Sequence, residues 1–202
     1  MSDKRQQIIA SAAGIMHSKG YENTKLSDIL NAAQLGKGQF YHYFSSKHEL
    51  GLAILDYFFT NWNRRLMENI LSSQQDPKTK FDTMLEAIIE LHRNNQAKCG
   101  CVFGNLAIEM SEHDEAFREK LETVFDIWTE KLKQVFDDMI LPVQVEDAET
   151  SKLAQGIVAM IEGGILLMKN KQDIGALINV TEQAKTLVNC FVQRYTTLPA
   201  VS

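Results

Sequence analysis

One run near the N-terminus, Lys-Gly-Gln-Phe-Tyr-His-Tyr-Phe-Ser-Ser-Lys, concentrates side chains that can bind a nucleic acid. Phe40 and Phe44 are four residues apart and share one face of a helix, whereas Gln39, Tyr41 and His42 point elsewhere. Lysine, tyrosine and histidine groups can bind phosphates, and a glutamine carboxamide can both donate to and accept from adenine in the major groove. The spacing therefore predicts a short helix with a buried aromatic face and a polar face that reads DNA, with Gln39 on a base edge.

The residues on either side predict the helices that would position this reading helix. Thr24 precedes helical apolar spacing and can cap a short helix that ends near Gln34. Gly36 then lies in a tight turn, where we expect its backbone freedom to be needed. Ser46 can cap the next helix, and Glu49 three residues later completes a capping box. Two short helices joined by a turn are the arrangement of a helix-turn-helix motif.

The run from Thr24 to Leu50 resembles the DNA-binding domain of the TetR family of bacterial transcriptional regulators. The matching elements are Thr24, Leu26, Asp28-Ile29, Ala33, Leu35, Lys37-Gly38, Phe40-Tyr41-His42-Tyr43-Phe44 and Ser46-Lys47. Leu30, Gly36 and Gln39 depart from the usual residues, so the resemblance does not carry an operator sequence. It implies DNA contacts by Thr24, Lys25, Lys37, Gly38, Gln39, Tyr41, His42 and Lys47.

The charge distribution supports a basic head and an acidic body. The whole chain has a net charge of −5, yet residues 1–48 hold six Lys or Arg against three acidic residues. DNA binding should therefore be confined to the N-terminal end. No secretory signal or continuous apolar run of membrane length is seen, which predicts a cytoplasmic protein. Three cysteines argue against a disulfide framework in a reducing compartment.

Apolar periodicity predicts helices along the chain, and the resemblance implies an all-α fold of about nine of them. The predicted helices cover about 4–19, 24–34, 37–44, 46–67, 79–95, 102–110, 114–141, 147–170 and 174–195, with Gln74 to Lys78 as a loop and Leu141-Pro142 closing the seventh helix. The resemblance implies a three-helix DNA-binding domain at 1–48 and a ligand-binding and dimerisation domain at 49–202.

Two adjacent glycines interrupt an apolar helix in the C-terminal part of the chain. Each should cost about 0.8–1 kcal/mol against alanine unless close helix packing compensates. The resemblance implies that the last two helices pair with those of a second subunit. The dimer residues predicted on this basis are Gly163, Gly164, Leu187, Val188, Phe191 and Val192. The alternative is that both helices only close the core of the monomer.

The segment Gly-Cys-x-x-x-Asn-Leu-Ala-x-Glu, which begins at Gly100, resembles a signature in a branch of TetR repressors, some of which sense reactive small molecules. Cys101 would lie at or before a helix N-terminus, which favours the thiolate. Alternatively, it is a small buried side chain. Asn105 and Glu109 are four residues apart and either bind a ligand or satisfy backbone groups.

A small-molecule site is expected inside the body, with apolar and aromatic walls and a few polar anchors. Its predicted residues are Phe58, Trp62, Met84, Ile88, His92, Cys101, Phe103, Asn105, Phe125, Trp128, Met160 and Glu162. Cys99 and Cys101 with His92 or His113 form too weak a pattern to predict a metal, and no cofactor motif or catalytic motif is present.

Together with the TetR resemblance, these patterns predict a dimeric regulator that binds a palindromic DNA operator and is released by a small molecule, which could be an electrophile. Its expected partners are the operator, the inducer and a second copy of the chain, without a membrane. Two other functions remain open. The chain could be a helical ligand-binding protein that has lost operator binding, or it could activate transcription.

Overall fold

The computed structural model describes residues 3–141 and 147–196, and every regular element in these ranges is a helix. The elements are α1 (Asp3–Lys19), α2 (Leu26–Ala33), α3 (Lys37–Tyr43), α4 (Lys47–Trp62), a π-helix (Asn63–Leu71), α5 (Pro77–Asn94), α6 (Val102–Met110), α7 (Glu115–Met139), α8 (Asp147–Lys171) and α9 (Ile174–Thr196). The all-α prediction is confirmed. The predicted helix end at Pro142 lies outside the described residues.

Backbone packing divides the chain into two compact units. The first contains residues 1–63 and 102–124, and the second contains residues 64–101 and 125–202. The chain passes between the units after residues 63, 101 and 124. The first packing unit thus includes α4, α6 and the start of α7 besides the three predicted head helices. The functional boundary between 1–48 and 49–202 stays a prediction.

The core of the first unit is built on the predicted aromatic face of α3. Phe40 and Phe44 are 0% and 1% exposed, with ring centroids 5.9 Å apart. Ile8 and Ala12 of α1 are fully buried, as is Ile29 of α2. The two phenylalanine side chains, four residues apart, therefore both face the hydrophobic core, as predicted.

In the turn before α3, the left-handed backbone conformation occurs at a different residue from the one predicted. Gln34 has φ of 51° and ψ of 51°, which is left-handed, whereas Gly36 has φ of −75° and ψ of 155°. Gly36 thus adopts an extended conformation open to any residue, and the prediction of a glycine-dependent turn was wrong. A left-handed residue just after a helix satisfies the last carbonyl groups, and Gln34 N donates to Asn31 O.

The capping predictions were partly correct. Ser46 caps α4, because its hydroxyl accepts from Glu49 N at 3.0 Å. The Glu49 carboxylate, however, accepts from the backbone N and the hydroxyl of Ser45, both at 2.7 Å. In the predicted capping box Glu49 would accept from the backbone N of Ser46, but it accepts from that of Ser45, one residue earlier. Thr24 was wrongly predicted as the cap of α2, since Lys25 occupies that position.

Two helix bounds also differ. Asp76 caps α5 by accepting from Thr79 N at 3.0 Å, and Pro77 is the first helical residue. The loop therefore ends at Asp76, two residues before the end that was predicted at Lys78. Proline suits this position because its missing N–H would have no helical partner. The predicted helix from 46 to about 67 changes at Asn63 into a π-helix that extends to Leu71.

The second unit is built on α5, the later part of α7, α8 and α9. Trp128 and Met84 are 3% and 0% exposed, and Trp128 Nε1 lies 3.4 Å from the Met84 sulfur. The rings of Phe81 and Phe136 meet at 5.4 Å. These contacts bury aromatic side chains from two helices in one core, which is a large source of hydrophobic stabilisation.

Within the described residues, one segment of α8, Glu149–Lys171, is long and apolar enough to cross a membrane by length and composition alone. Lys152 and Glu162 interrupt its apolar residues, so it is not a continuous apolar run. Ile157, Ile161 and Met168 in this segment are fully buried within the protein. A core helix passes the same test, so the segment is weak support for a membrane span.

Candidate nucleic-acid interface

The polar face of α3 is exposed. Tyr41 is 49% exposed although it is a large aromatic residue, and Gln39 and His42 are also exposed. Lys37 and Gly38 are exposed in the first turn. The helix buries Phe40, the residue that ends it buries Phe44, and donors and acceptors lie on the other side of the helix, as a recognition helix requires.

Gln39 and Lys47 are predicted contact residues whose side chains already make contacts within the protein. Gln39 Oε1 accepts a hydrogen bond from Gly36 N at 3.2 Å. Lys47 Nζ lies 4.3 Å from the centroid of the Tyr21 ring and 3.4 Å from Glu22 O. Lys47 therefore positions the turn after α1 as well as providing positive charge at the start of α4.

Thr24 does not share the exposure of the other predicted contacts. It is 0% exposed, and its hydroxyl donates to Gly20 O at 2.6 Å. The prediction that Thr24 touches DNA is therefore corrected, because a buried side chain with a satisfied hydroxyl cannot reach a phosphate without opening the turn. Its role in this structure is to hold the turn between α1 and α2.

Lys4 is a basic residue of this surface that the sequence analysis counted only as charge. A concavity beside α3 is lined by Lys4, Leu35, Gly38, Gln39, His42 and Tyr43. Lys4 belongs to α1, and its proximity to α3 is a consequence of tertiary packing. Lys4 is one of the six Lys or Arg among residues 1–48, and this excess of positive charge was the signal that the sequence offered.

A second group of contacts joins α6 to the turn between α1 and α2. Glu109 Oε2 accepts from Tyr21 N and Glu109 Oε1 accepts from Glu22 N, both at 2.8 Å. Gly20 has φ of 86°, and a Cβ built there would lie 2.9 Å from Glu109 Oε1. Of the two alternatives predicted for Glu109, ligand binding or satisfaction of backbone groups, this geometry favours the second.

Aromatic packing reinforces the same turn. The Tyr21 and Phe117 rings lie 5.1 Å apart, and His48 Nε2 lies 2.7 Å from Asp114 Oδ2. Gly51 of α4 is closely covered, since a Cβ there would lie 2.6 Å from the Tyr21 ring. The start of the recognition motif is therefore held by α4, α6 and the start of α7 within one packing unit.

The residues predicted for the ligand site fall in both packing units. Phe58, Trp62, Phe103 and Asn105 belong to the first unit, and Met84, Ile88, His92, Cys101, Phe125, Trp128, Met160 and Glu162 belong to the second. Within the first, the Trp62 and Phe103 rings meet at 5.5 Å. Their membership of one ligand site stays a prediction.

Cys101 and Glu162 are brought together in the second unit. The Cys101 thiol hydrogen-bonds to the Glu162 carboxyl group, and Glu162 Oε1 is buried without a hydrogen-bond partner among the described residues. Burial raises the pKa of Glu162 above its ordinary value of 4.5, and the bond from Cys101 opposes that rise. Cys101 directly precedes α6, as predicted, and none of the three cysteines forms a disulfide within the described residues.

The predicted dimer residues have two different environments. Gly164 is buried against α9, where a Cβ would lie 3.0 Å from Val180 Cβ, and Val188 is 2% exposed. Both residues therefore pack inside their own chain, and their assignment to a dimer contact is corrected. A Cβ at Gly163 would meet, in the part of the chain that the structure describes, no atom within 4 Å apart from its own helix backbone and sequence neighbours, and Leu187 is 45% exposed. Phe191 and Val192 are half-buried.

Comparison with known protein families agrees with this geometry. The model for bacterial regulatory proteins of the tetR family matches residues 8–54. The model for the C-terminal domain of LmrA/YxaF-like transcriptional regulators matches residues 77–183. This chain belongs to the TetR family of transcriptional regulators.

Individual TetR-family relatives span nearly the whole chain. A regulator from the lacX 3' region of Lactococcus lactis is 33% identical over 92% of this chain and 93% of its own length. The transcriptional repressor DhaR of a Mycobacterium species is 26% identical over 89% of this chain and 91% of its own. The regulatory protein TetR of Rhodobacter sphaeroides has a similar structure, with a TM-score of 0.81, 27% identity and coverage of 92% and 98%.

Membership of the TetR family establishes transcription regulation through DNA binding as the activity class. Regulators of this family bind DNA operators, typically act as homodimers and are not enzymes. The exposed face of α3 is therefore the candidate DNA-reading surface of this chain.

Proposed function

We propose that this chain is a homodimeric repressor that binds a palindromic operator and is released from it by a small molecule. The observation that carries the proposal is the division of α3 into a buried side, Phe40 and Phe44, and an exposed side, Gln39, Tyr41 and His42. The similarity to DhaR, which is named a repressor, supports repression as the direction of control.

The proposed DNA contacts combine direct base reading with phosphate binding. Gln39 reads a base edge, and the remaining side chains fix the position of α3 in the groove. The phosphate-binding residues are Lys4, Lys25, Lys37, Gly38, Tyr41, His42 and Lys47. Thr24 is left out because its side chain is buried.

The proposed dimer contact lies on the outer faces of α8 and α9. Leu166 and Leu167 are 56% and 48% exposed in one chain, and they follow the exposed Gly163 at helical spacing. Leu187 and Phe191 form the corresponding face of α9, with Val192 at its edge. Pairing these faces would cover exposed apolar area and hold two copies of α3 at a separation of about 34–36 Å, or a multiple, to match successive major grooves.

The proposed response to the inducer passes through α6. The Glu109 carboxylate connects α6 to the backbone of Tyr21 and Glu22, so a shift of α6 would move the turn before α2 or break these two bonds. The inducer prefers the shifted arrangement, and operator affinity falls by thermodynamic linkage.

An electrophile is the inducer class that the contact between Cys101 and Glu162 favours. The sulfur of Cys101 would add to the β-carbon of an activated alkene, and the thiol proton would pass through Glu162 to the α-carbon. This addition needs no oxidant or further reactant. A carboxylate with a raised pKa is a better proton acceptor for a thiol than an ordinary one.

The DNA-binding part is tested with duplexes that cover the promoter next to the gene. We expect tight binding that weakens steeply with salt, and a loss of about 10-fold or more in Tyr41→Ala and Lys37→Ala. Lys171→Ala, at an exposed lysine of the second unit, is the control for lost charge. Equal affinity of all four proteins for these duplexes would contradict the assigned surface. If wild type bound none of the duplexes, the result would favour a ligand-binding protein without an operator.

The inducer part is tested separately with N-ethylmaleimide. We expect alkylation of Cys101 to release the operator in wild type and in Cys190→Ser, an exposed control cysteine. Cys101→Ser should stay bound. If N-ethylmaleimide released Cys101→Ser from the operator to the same extent as wild type, induction through Cys101 would be ruled out. The proposal that the chain is a repressor would still stand.

A further inference from the structure

The hydrogen bond made by Gln39 restricts how this residue can read DNA. Gly36 N is a donor, so the atom that faces it at 3.2 Å must be the carboxamide oxygen Oε1 and not the Nε2 amino group. The orientation of the Gln39 carboxamide therefore follows from the chemistry of its partner. The amino group, on the other branch of the planar carboxamide, is left to meet a base.

The local sequence makes this bond the side-chain cap of α3. Gly36 occupies the N-cap position and has no side chain that could accept from the first turn. Gln39 is the third helical residue, from which a side chain can reach back to the N-cap backbone N–H. The amide oxygen could accept a second hydrogen bond, but turning Oε1 away from Gly36 towards a base edge would break this cap on a helix that is only seven residues long.

The two modes of base reading differ in what they require of the oxygen. Adenine is read by a glutamine that accepts from N6 and donates to N7, so it needs both Oε1 and Nε2. Guanine presents two acceptors, O6 and N7, and can be contacted by the amino group alone. With Oε1 directed to Gly36, the guanine edge is the better match.

We propose that Gln39 reads the major groove only as a hydrogen-bond donor, through Nε2, and so selects guanine over adenine at the base pair it contacts. The inference rests on the proposed function, because it requires α3 to lie in a major groove. It replaces the adenine contact predicted from the sequence.

The test is selection of preferred duplexes from a random library by wild type, Gln39→Glu and Gln39→Ala, followed by affinity measurements. Wild type should select guanine at one position in each half-site, and adenine there should weaken binding by about 10- to 100-fold. Replacing that guanine by 7-deazaguanine, which lacks the N7 acceptor, should also weaken binding. Inosine keeps O6 and N7 and should bind like guanine.

Gln39→Glu is the matched variant because it keeps an acceptor for Gly36 N while removing the donor. It should fold as stably as wild type and shift its preference to cytosine, whose N4 amino group donates. Gln39→Ala should lose the preference altogether.

The outcomes separate this inference from the proposed function. Selection of adenine by wild type, or an unchanged preference in Gln39→Glu, would overturn donor-only reading while operator binding stands. If wild type selected no duplex and bound none in a salt-dependent manner, the proposed function itself would be wrong.

Discussion

Glu109 Oε2 accepts a hydrogen bond from the backbone N of Tyr21 at 2.8 Å, although the two residues are 88 positions apart in the chain. The other oxygen of the same carboxylate accepts from Glu22 N at the same distance. Two adjacent backbone donors at the turn before the recognition motif are thus satisfied by one side chain of α6. This is the structural basis for the proposed coupling between α6 and the DNA-reading surface.

Glu109→Ala should lower the free energy of unfolding by about 1–3 kcal/mol, because two backbone donors lose a charged acceptor. Glu109→Gln should lie between alanine and wild type, since an amide offers one acceptor oxygen and sets its amino group against the second N–H. Chemical denaturation measures both effects, with Glu112→Ala as the control at an exposed acid of the following loop. An unfolding midpoint of Glu109→Ala equal to that of wild type would show that water replaces the carboxylate without cost.

Phe40→Ala and Tyr41→Ala should separate folding from DNA binding at adjacent positions. Phe40 is 0% exposed, so its truncation should cost about 3–5 kcal/mol of stability. Tyr41 is 49% exposed, and its truncation should change stability by less than about 0.5 kcal/mol while it weakens operator binding. Thermal unfolding and fluorescence anisotropy with a labelled duplex measure the two quantities. Strong destabilisation by Tyr41→Ala would refute its assignment to the reading face.

The adjacent glycines of α8 should respond to alanine in opposite ways. Gly164→Ala places a Cβ 3.0 Å from Val180 Cβ, so overpacking should exceed the gain in helix propensity and lower stability by about 1–2 kcal/mol. At Gly163→Ala the added Cβ meets, within the described residues, no atom closer than 4 Å beyond its sequence neighbours and its own helix backbone, so folding should stay intact while self-association weakens. Denaturation at fixed protein concentration and sedimentation equilibrium test both. Unchanged self-association of Gly163→Ala would remove this glycine from the proposed dimer contact.

Glu162 should make stability depend on pH. Burial raises its pKa above the ordinary value of 4.5, so the unfolded chain ionises at a lower pH than the folded chain. The folded state therefore loses stability as pH rises from about 4.5 through the raised pKa, and the loss is complete above it. Glu162→Gln, which carries no charge, should lack this loss and gain on wild type at neutral pH. Chemical denaturation from pH 4 to 8 measures the free energy of unfolding, with Glu119→Gln at an exposed position as the control. If Glu162→Gln showed the same pH dependence as wild type and Glu119→Gln, Glu162 would not be the source of the loss.

Local signals explain why the helices of the head could be predicted. Phe40 and Phe44 share a face by helix geometry alone, and Ser46 caps α4 through a residue three positions away. The turn before α3 was harder, because left-handed backbone is expected at glycine and here occurs at Gln34. Gly36 was available for that conformation but does not use it.

Contacts between distant residues could not be predicted from the same signals. Thr24 has the sequence position of a cap, yet tertiary packing buries it and its hydroxyl binds Gly20 O. Gly163 and Gly164 are identical in type, and only the position of α9 makes one of them an internal contact. The spacing of Glu109 allowed two roles, and the location of the Tyr21 backbone favours one.

The amino-acid sequence by itself determined the helical class, the recognition motif and the aromatic side on which α3 packs. These properties depend on periodicity and on caps within a few residues, which are local interactions. Only the tertiary structure decided which polar groups remain available, because hydrogen bonds such as those of Glu109 with Tyr21 and Glu22 join segments far apart in the chain. Whether a side chain reads DNA, holds a turn or fills the core depends on the neighbours that folding brings to it.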